Sequence, residues 1–408
     1  MTRTIQACFV AFFSLTLILG GGLPILNFLM GTENSISAGE SRKMTTFADA
    51  FQPQGVFRFK GLRDRLEEAS KDQIPFRAFW VRQYKRTLLY GFGHEKSEGV
   101  MVGRDGYWFQ IGNVHYSRAP CASPRAINEV STDALIQSLI EFNASLASEG
   151  RYLSIVIAPL QSTVRADLLP AGLSQLCASP VPRLQKSLRQ LREGGVSVLY
   201  DPDWMIAEGA TKFYPPRSFH WHRGGAAWYS RYGIQNGLVT APDFRGIEFL
   251  PQLEMREGGV DMARYLGVAP STYKALFPKP DKDVSYVGTV SQAGELEHIP
   301  STVASLYSAT AARRSFYMAG GLEENGRGVI IGDSFSNSAF DFWGRHFSEA
   351  IGLTINNADR SKPTFTQLIE AFDPRHVVLI LEESKLMHIE GGPKWRAISV
   401  LTAEGEKE

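Results

Sequence analysis

Short apolar runs alternate with amphipathic segments along the chain from about residue 130. Continuous runs of apolar residues predict buried strands, and apolar residues that recur every three or four positions predict helices. The predicted strands are 153–158, 196–200, 328–331 and 377–381. The predicted helices are 134–147, 181–192, 224–233, 336–350 and 365–372. This alternation predicts an α/β fold with a mainly parallel sheet that is covered on both faces.

Four regions follow from the same pattern. Residues 1–32 are a hydrophobic leader, and residues 33–98 predict a helical or extended region. Residues 99–390 form the main domain, with a long insertion at about 240–325 that is rich in Pro, Gly and aromatic residues. Residues 391–408 are a charged C-terminal tail. Within the main domain, residues 100–109 predict a hairpin with a tight Asp-Gly turn.

The leader contains an uncharged run from Thr4 to Thr32 between Arg3 and Glu33. This run is long enough to cross a bilayer, so it predicts a signal anchor with Arg3 on the cytoplasmic side. A cleavable signal peptide that ends near the triple glycine at 20–22 is the alternative. Both interpretations place the rest of the chain outside the cytoplasm, either anchored to the membrane or released from it.

Charge and cysteine content exclude two classes of function. The chain has 43 Lys+Arg and 42 Asp+Glu, a formal charge of +1, which argues against a general nucleic-acid binder. It has no Cys-x-x-Cys pair, which excludes a cysteine zinc knuckle. In an oxidising compartment Cys121 and Cys177 could form a disulfide.

The sharpest local motif is the sequence Gly332-Asp333-Ser334, where a predicted strand ends and a helix begins. Ligands of open α/β sheets bind at the carboxyl ends of the strands, so Ser334 lies where a nucleophile is expected. Gly332 permits a sharp turn, and backbone N–H groups around Ser334 could bind an oxyanion. Asn337 is a further candidate donor. The alternative is that Asp333 or Ser334 only caps the helix.

A serine nucleophile needs a base, and His220 is the best candidate among eight histidines. It lies in a loop directly before a predicted helix. His222 stands two residues later, a spacing found in some metal sites, but no third ligand is evident and no metal is predicted. His346 lies too far along the helix after Ser334 to act as the base.

Four motifs, in order, resemble the alginate O-acetyltransferase group of SGNH-type enzymes, which acetylate exported bacterial polysaccharides. The motifs are Val100–Phe109, His220–Ala226, Gly332–Ser336 and Val377–Glu383. The resemblance implies a three-layer α/β/α sandwich of the SGNH-hydrolase type. It also implies that Ser334 is the nucleophile and that His220 is the general base.

One position departs from the family pattern, because the family's catalytic aspartate corresponds to Ser218 here. Three interpretations stay open. The Ser218 hydroxyl or a backbone carbonyl orients His220 in a dyad; another acid such as Asp201 or Asp203 replaces the aspartate; or the site is degraded and the protein is a binding or assembly subunit.

The resemblance implies transfer of acetyl groups to hydroxyls of an exported polysaccharide through an acyl-serine, without a cofactor. The acetyl donor would arrive through a membrane-bound O-acyltransferase in the inner membrane. A carbohydrate acetylesterase with the same residues is the alternative. Trp108, Trp221 and Trp343 are candidate sugar-binding residues, with core packing as their other possible role.

Overall fold

The computed structural model describes sixteen segments of the chain. They are residues 45–46, 62–73, 83–84, 87, 96–97, 100–110, 129–170, 173–174, 182–239, 244–246, 253–259, 272–278, 285–287, 314–319, 321–354 and 365–386. The predicted leader, Cys121, Cys177 and the C-terminal tail lie outside them. No helix within these segments is both long and apolar enough to cross a bilayer.

The chain divides into two compact units. The first comprises Met1–Glu98 and Met262–Ser271, and the second comprises Gly99–Asp261 and Thr272–Glu408. In the first unit the structure describes helix α1 (Leu62–Asp72) and the two-residue strand β1 (Lys96–Ser97). The Asp72 carboxylate at the end of α1 accepts a hydrogen bond from the Thr45 N–H at 2.8 Å.

A seven-stranded sheet forms the centre of the second unit. The strands of this unit are β2 (Val100–Val102), β3 (Trp108–Gln110), β4 (Tyr152–Ala158), β5 (Ser197–Leu199), β6 (Leu253–Gly259), β7 (Thr272–Pro278), β8 (Ser285–Val287), β9 (Arg314–Ala319), β10 (Arg327–Gly332), β11 (Glu349–Thr354) and β12 (His376–Glu382). The sheet has the order β5-β4-β12-β10-β11-β9-β8. Its first five strands are parallel, which confirms the prediction of a mainly parallel sheet.

Helices cover both faces of this sheet. They are α2 (Glu129–Ser148), α3 (Gln161–Val164), α4 (Pro182–Glu193), α5 (Pro202–Ala207), α6 (Arg223–Gln235), α7 (Ser336–Gly344) and α8 (Phe365–Phe372). Alternate strand residues point to opposite faces. Ile331 and Leu379 belong to the apolar cluster with α2, α4 and α8, whereas Ile330 and Ile380 belong to the cluster with α6 and α7. The unit is therefore an α/β/α sandwich.

Two predictions about local structure are wrong. The predicted helix 336–350 ends at Gly344, and strand β11 begins at Glu349. Glycine is a poor helix former, and the apolar residues after it pack as a central strand instead. The segment 240–325 does not lie wholly beside the sheet, because β8 and β9 extend the sheet in antiparallel direction. Such strands lack the long apolar run that identifies a parallel core strand.

Gly332 shows how closely the central strands approach. A Cβ atom at this position would lie 2.0 Å from the Ile380 carbonyl oxygen of the neighbouring strand. The sequence predicted that this glycine serves a sharp turn. The structure shows instead that Gly332 is still paired in β10 and that its missing side chain permits the contact with β12.

We expect Gly332→Ala to lower the free energy of unfolding by about 2 to 3 kcal/mol, because overpacked backbone must separate. Ser334→Ala, two residues later, is the matched control and should cost about 1 kcal/mol or less. Urea denaturation of both variants measures the difference. Equal stability of Gly332→Ala and the wild type would contradict this account of the contact.

Candidate active site

Ser334 lies in the turn between β10 and α7, at the carboxyl edge of the parallel sheet. The Asp333 carboxylate fixes this turn. One of its oxygens accepts a hydrogen bond from the Phe335 N–H and the other from the Glu382 N–H, each at 2.8 Å. The second bond connects the turn to the end of β12. Asp333 is thus a structural acceptor that holds Ser334 in place.

The loop that carries His220 is fixed from three directions. The Trp221 indole N–H donates to the Phe335 carbonyl at 2.9 Å, next to Ser334. The Gln161 side-chain amide donates to the Pro215 carbonyl at 3.0 Å. The Trp108 backbone N–H, in the predicted hairpin, donates to the Pro216 carbonyl at 2.8 Å. The hairpin therefore supports the histidine loop.

These elements bring His220 and Ser334 into direct contact. His220 Nε2 lies 2.7 Å from Ser334 Oγ, although the residues are 114 positions apart in sequence. When Nε2 accepts the hydroxyl proton, the ring proton of neutral histidine resides on Nδ1. The rings of Phe219 and Phe335 flank the imidazole at centroid distances of 4.9 and 5.0 Å. Both reactive side chains are partly exposed.

The turn offers fewer oxyanion donors than the sequence suggested. The Asp333 N–H donates to the Ile380 carbonyl, the Phe335 N–H to the Asp333 side chain, and the Ser336 N–H to the Asp333 carbonyl. The Ser334 N–H is the donor of this turn without such a partner among the described residues. The Asn337 side-chain oxygen accepts a hydrogen bond from the Thr354 hydroxyl, which ties that amide to β11.

The residues that could replace the family's aspartate have different positions. Ser218 is 3% exposed, and its N–H donates to the Pro215 carbonyl at 3.2 Å. Asp201 accepts from the Trp204 N–H and from the Tyr232 hydroxyl, so it caps α5 and anchors α6. Asp203 is exposed on α5. The structure thus gives Asp201 a structural role.

The three candidate sugar-binding tryptophans are core residues. Trp108 is 4% exposed, and Trp221 and Trp343 are each 1% exposed. The Trp221 indole N–H bonds to the Phe335 carbonyl, and that of Trp343 donates to the Ser230 hydroxyl at 3.0 Å. Burial leaves no free indole face for a sugar ring, so the structure supports the packing interpretation for all three.

His222 and His346 have structural roles. His222 caps α6, where its Nδ1 accepts from the Gly225 N–H at 3.0 Å. His346 is buried just beyond α7, with Nδ1 3.0 Å from the Phe342 carbonyl. Burial lowers the pKa of His346 to about 4.

The sequence motifs contain Asp333, Glu382 and Glu383, but sequence reasoning did not predict that all three carboxyls are buried. Burial raises the pKa of all three, to about 6 for Asp333 and to about 7 for Glu383. Glu383 accepts hydrogen bonds from the Thr163 and Tyr200 hydroxyls at 2.7 and 2.9 Å, which oppose that rise. Two glutamates directly after a buried strand were the available signal.

Fold and site together define an α/β protein with a serine–histidine pair at the carboxyl edge of its sheet. No family model matches the sequence, and no curated protein is similar to it. Several solved structures match this chain. PatB1 of Bacillus cereus, in a structure with a sulfonyl adduct, is 12% identical with a TM-score of 0.50, over 71% of this chain and 95% of that one.

A DHHW family protein from Eubacterium siraeum is 16% identical with a TM-score of 0.50, over 74% of this chain and 96% of that one. The O-acetyltransferase domain of Pseudomonas putida AlgJ is 15% identical with a TM-score of 0.41, over 74% and 98% of the two chains. The two structures with a TM-score of 0.50 show that the chain shares the α/β fold of PatB1 and of the DHHW family protein.

The buried Glu383 carboxyl predicts a specific dependence of stability on pH. Its pKa of about 7 in the folded protein exceeds the ordinary value of 4.5, so the folded state holds a proton that the unfolded state has lost. This stabilising contribution is complete below about pH 4.5 and is lost as the pH rises through 7; it amounts to roughly 3 kcal/mol.

Glu383→Gln removes this contribution and keeps a polar partner for Thr163 and Tyr200. We therefore expect the free energy of unfolding to fall less between pH 4.5 and 8 in the variant than in the wild type. Denaturant titrations across that pH range measure the two slopes. Parallel curves for the two proteins would contradict the raised pKa of Glu383.

Proposed function

We propose that the protein is an O-acetyltransferase that acetylates hydroxyls of an exported polysaccharide through an acyl-serine at Ser334. The observation that carries the proposal is the 2.7 Å contact between His220 Nε2 and Ser334 Oγ at the carboxyl edge of the sheet. This distance permits direct proton transfer between the two atoms. The motif resemblance to the alginate O-acetyltransferase group supplies the substrate class.

In the first half-reaction, His220 Nε2 takes the Ser334 hydroxyl proton while Oγ bonds to the acetyl carbonyl carbon of the donor. The Ser334 N–H is positioned in the turn to stabilise the resulting oxyanion. The tetrahedral intermediate then collapses. The bond to the donor's leaving group breaks, and that group takes the proton from His220.

In the second half-reaction, a sugar hydroxyl gives its proton to His220 Nε2 and attacks the acetyl carbon. The bond between Ser334 Oγ and that carbon breaks, and Oγ recovers the proton. The enzyme returns to its starting state, and no cofactor takes part. Water in place of the sugar would give acetate, so the partly exposed site must favour a sugar over water.

The proposed setting is the periplasmic face of the inner membrane. The uncharged leader would anchor the chain there or be removed after export. A membrane-bound O-acyltransferase would deliver the acetyl group, and the polysaccharide would be the acceptor. The near-neutral charge of the chain gives no preference between an acidic and a neutral glycan.

A product assay tests the proposal. Purified protein is incubated with an activated acetyl ester, with and without an oligosaccharide acceptor, and acetate and acetylated sugar are quantified. We expect acetylated sugar from the wild type and at least a hundredfold less from Ser334→Ala and His220→Ala, because both remove the proton-transfer pair. Ser338→Ala, on the same helix, is the matched control and should retain activity.

The outcomes separate three functions. Acetylated sugar supports the transferase, whereas acetate alone, dependent on Ser334, would identify an esterase and contradict the transfer step. A protein required for polymer acetylation in cells whose Ser334→Ala variant functions fully would be a binding or assembly subunit, and both enzymatic assignments would fall.

A further inference from the structure

His220 gains a positive charge at each proton transfer of the proposed reaction, and Ser218 stands at the position of the family's aspartate. The loop from Thr211 to His222 contains no Asp or Glu. Asp201 is engaged by the Trp204 N–H and the Tyr232 hydroxyl. A carboxylate near the imidazole stabilises the imidazolium that forms during proton transfer.

Strand register places the end of β12 next to the serine turn. β10 and β12 are parallel neighbours, and β10 ends with Gly332 opposite Ile380. Ser334 in the turn and Glu382 at the end of β12 each lie two residues beyond this pair. The Glu382 N–H donates to the Asp333 carboxylate at 2.8 Å, which holds the end of β12 against the serine turn.

The alternation of β12 places the Glu382 side chain on the same face as His220. Val378 and Ile380 belong to the apolar cluster that also contains Trp221 and Phe335, the neighbours of His220 and Ser334. Side chains two residues apart point to the same face of a strand. Leu381, between Ile380 and Glu382, belongs to the cluster on the opposite face.

The charges around Glu382 are consistent with this placement. Glu382 is 1% exposed, and its burial raises the pKa of the carboxyl; the positive charges of Lys385 and His220 oppose that rise. Lys385 Nζ lies 3.9 Å from a Glu382 carboxylate oxygen. Asp333, Glu383 and Tyr214 are further titratable groups that interact with Glu382.

We propose that Glu382 is the positioning carboxylate that stabilises the His220 imidazolium, in place of the aspartate that is absent at position 218. The assignment rests on the proposed function of the Ser334–His220 pair. Glu382 acts through its negative charge on the same face of the sheet, and it does not contact the acetyl group. The acid has moved from the histidine loop to the strand beside the nucleophile.

The test measures the rate at which a sulfonyl fluoride labels Ser334, as a function of pH, by intact-mass spectrometry. In Glu382→Gln we expect the plateau rate to fall at least about tenfold. The midpoint of the acidic limb of the rate profile should also move to lower pH, because the proton acceptor of Ser334 loses its countercharge. Glu383→Gln is the matched control and should retain the wild-type midpoint.

Ser218→Asp provides rescue and a test that leaves Glu382 in place. In the Glu382→Gln background, Asp at 218 should restore most of the lost rate and the midpoint. In the wild type it should change the rate by less than about threefold, because the countercharge is already present. A merely structural role of Glu382 would show neither the midpoint shift nor the rescue.

Three results would overturn the assignment. The first is a wild-type pH profile in folded Glu382→Gln. The second is a tenfold or greater acceleration by Ser218→Asp alone, which decides the matter even if Glu382→Gln does not fold. The third is wild-type protein whose Ser334 is not labelled at all. This result contradicts the proposed function itself. It differs from the other two because it is seen in the wild type, without any substitution.

Discussion

The site depends on the hydrogen bonds that the Asp333 carboxylate accepts. Its two oxygens bind the Phe335 N–H on one side of Ser334 and the Glu382 N–H at the end of the adjacent strand. A buried carboxyl is unfavourable unless it is hydrogen-bonded, and these two bonds provide that compensation. Because these bonds hold the turn against β12, the Ser334 hydroxyl is held at the carboxyl edge of the sheet. His220 contacts it there.

The histidine side of the contact is held by independent bonds. Gln161 and Trp108 hold the backbone at Pro215 and Pro216, and Trp221 binds the Phe335 carbonyl. The hairpin, the segment after β4 and the serine turn therefore all position one imidazole. Catalytic groups must be held within hydrogen-bond reach, and here that reach is secured by backbone atoms on both sides.

The sequence predicts those parts of the site that are local. A buried strand that ends in Gly-Asp-Ser before a helix locates Ser334, and the resemblance of the His220 motif pairs it with a base. The parallel sheet follows from the alternation of strands and helices. The sequence alone could not show that the end of β12 lies against the serine turn. That proximity depends on β12 inserting between β4 and β10, which are far apart in the chain.

The failures have the same origin. The predicted helix 336–350 overlapped the start of β11 because Ala350 suits either structure, and only the neighbouring strands decide. Backbone N–H groups around Ser334 were candidate oxyanion donors, but Ile380 and the turn itself engage those of Asp333, Phe335 and Ser336. The tryptophans carry aromatic faces that a sugar could use, but packing buries them. Tertiary contacts, which no local pattern encodes, decided each case.

The most direct measurement of the central claim is the mass of the Ser334 peptide after rapid quenching of the protein with an activated acetyl donor. The account predicts that the peptide gains one acetyl group in the wild type and that the gain disappears when His220 is replaced by alanine. An acetyl group found on another residue, or one that forms on Ser334 equally fast without His220, would contradict it.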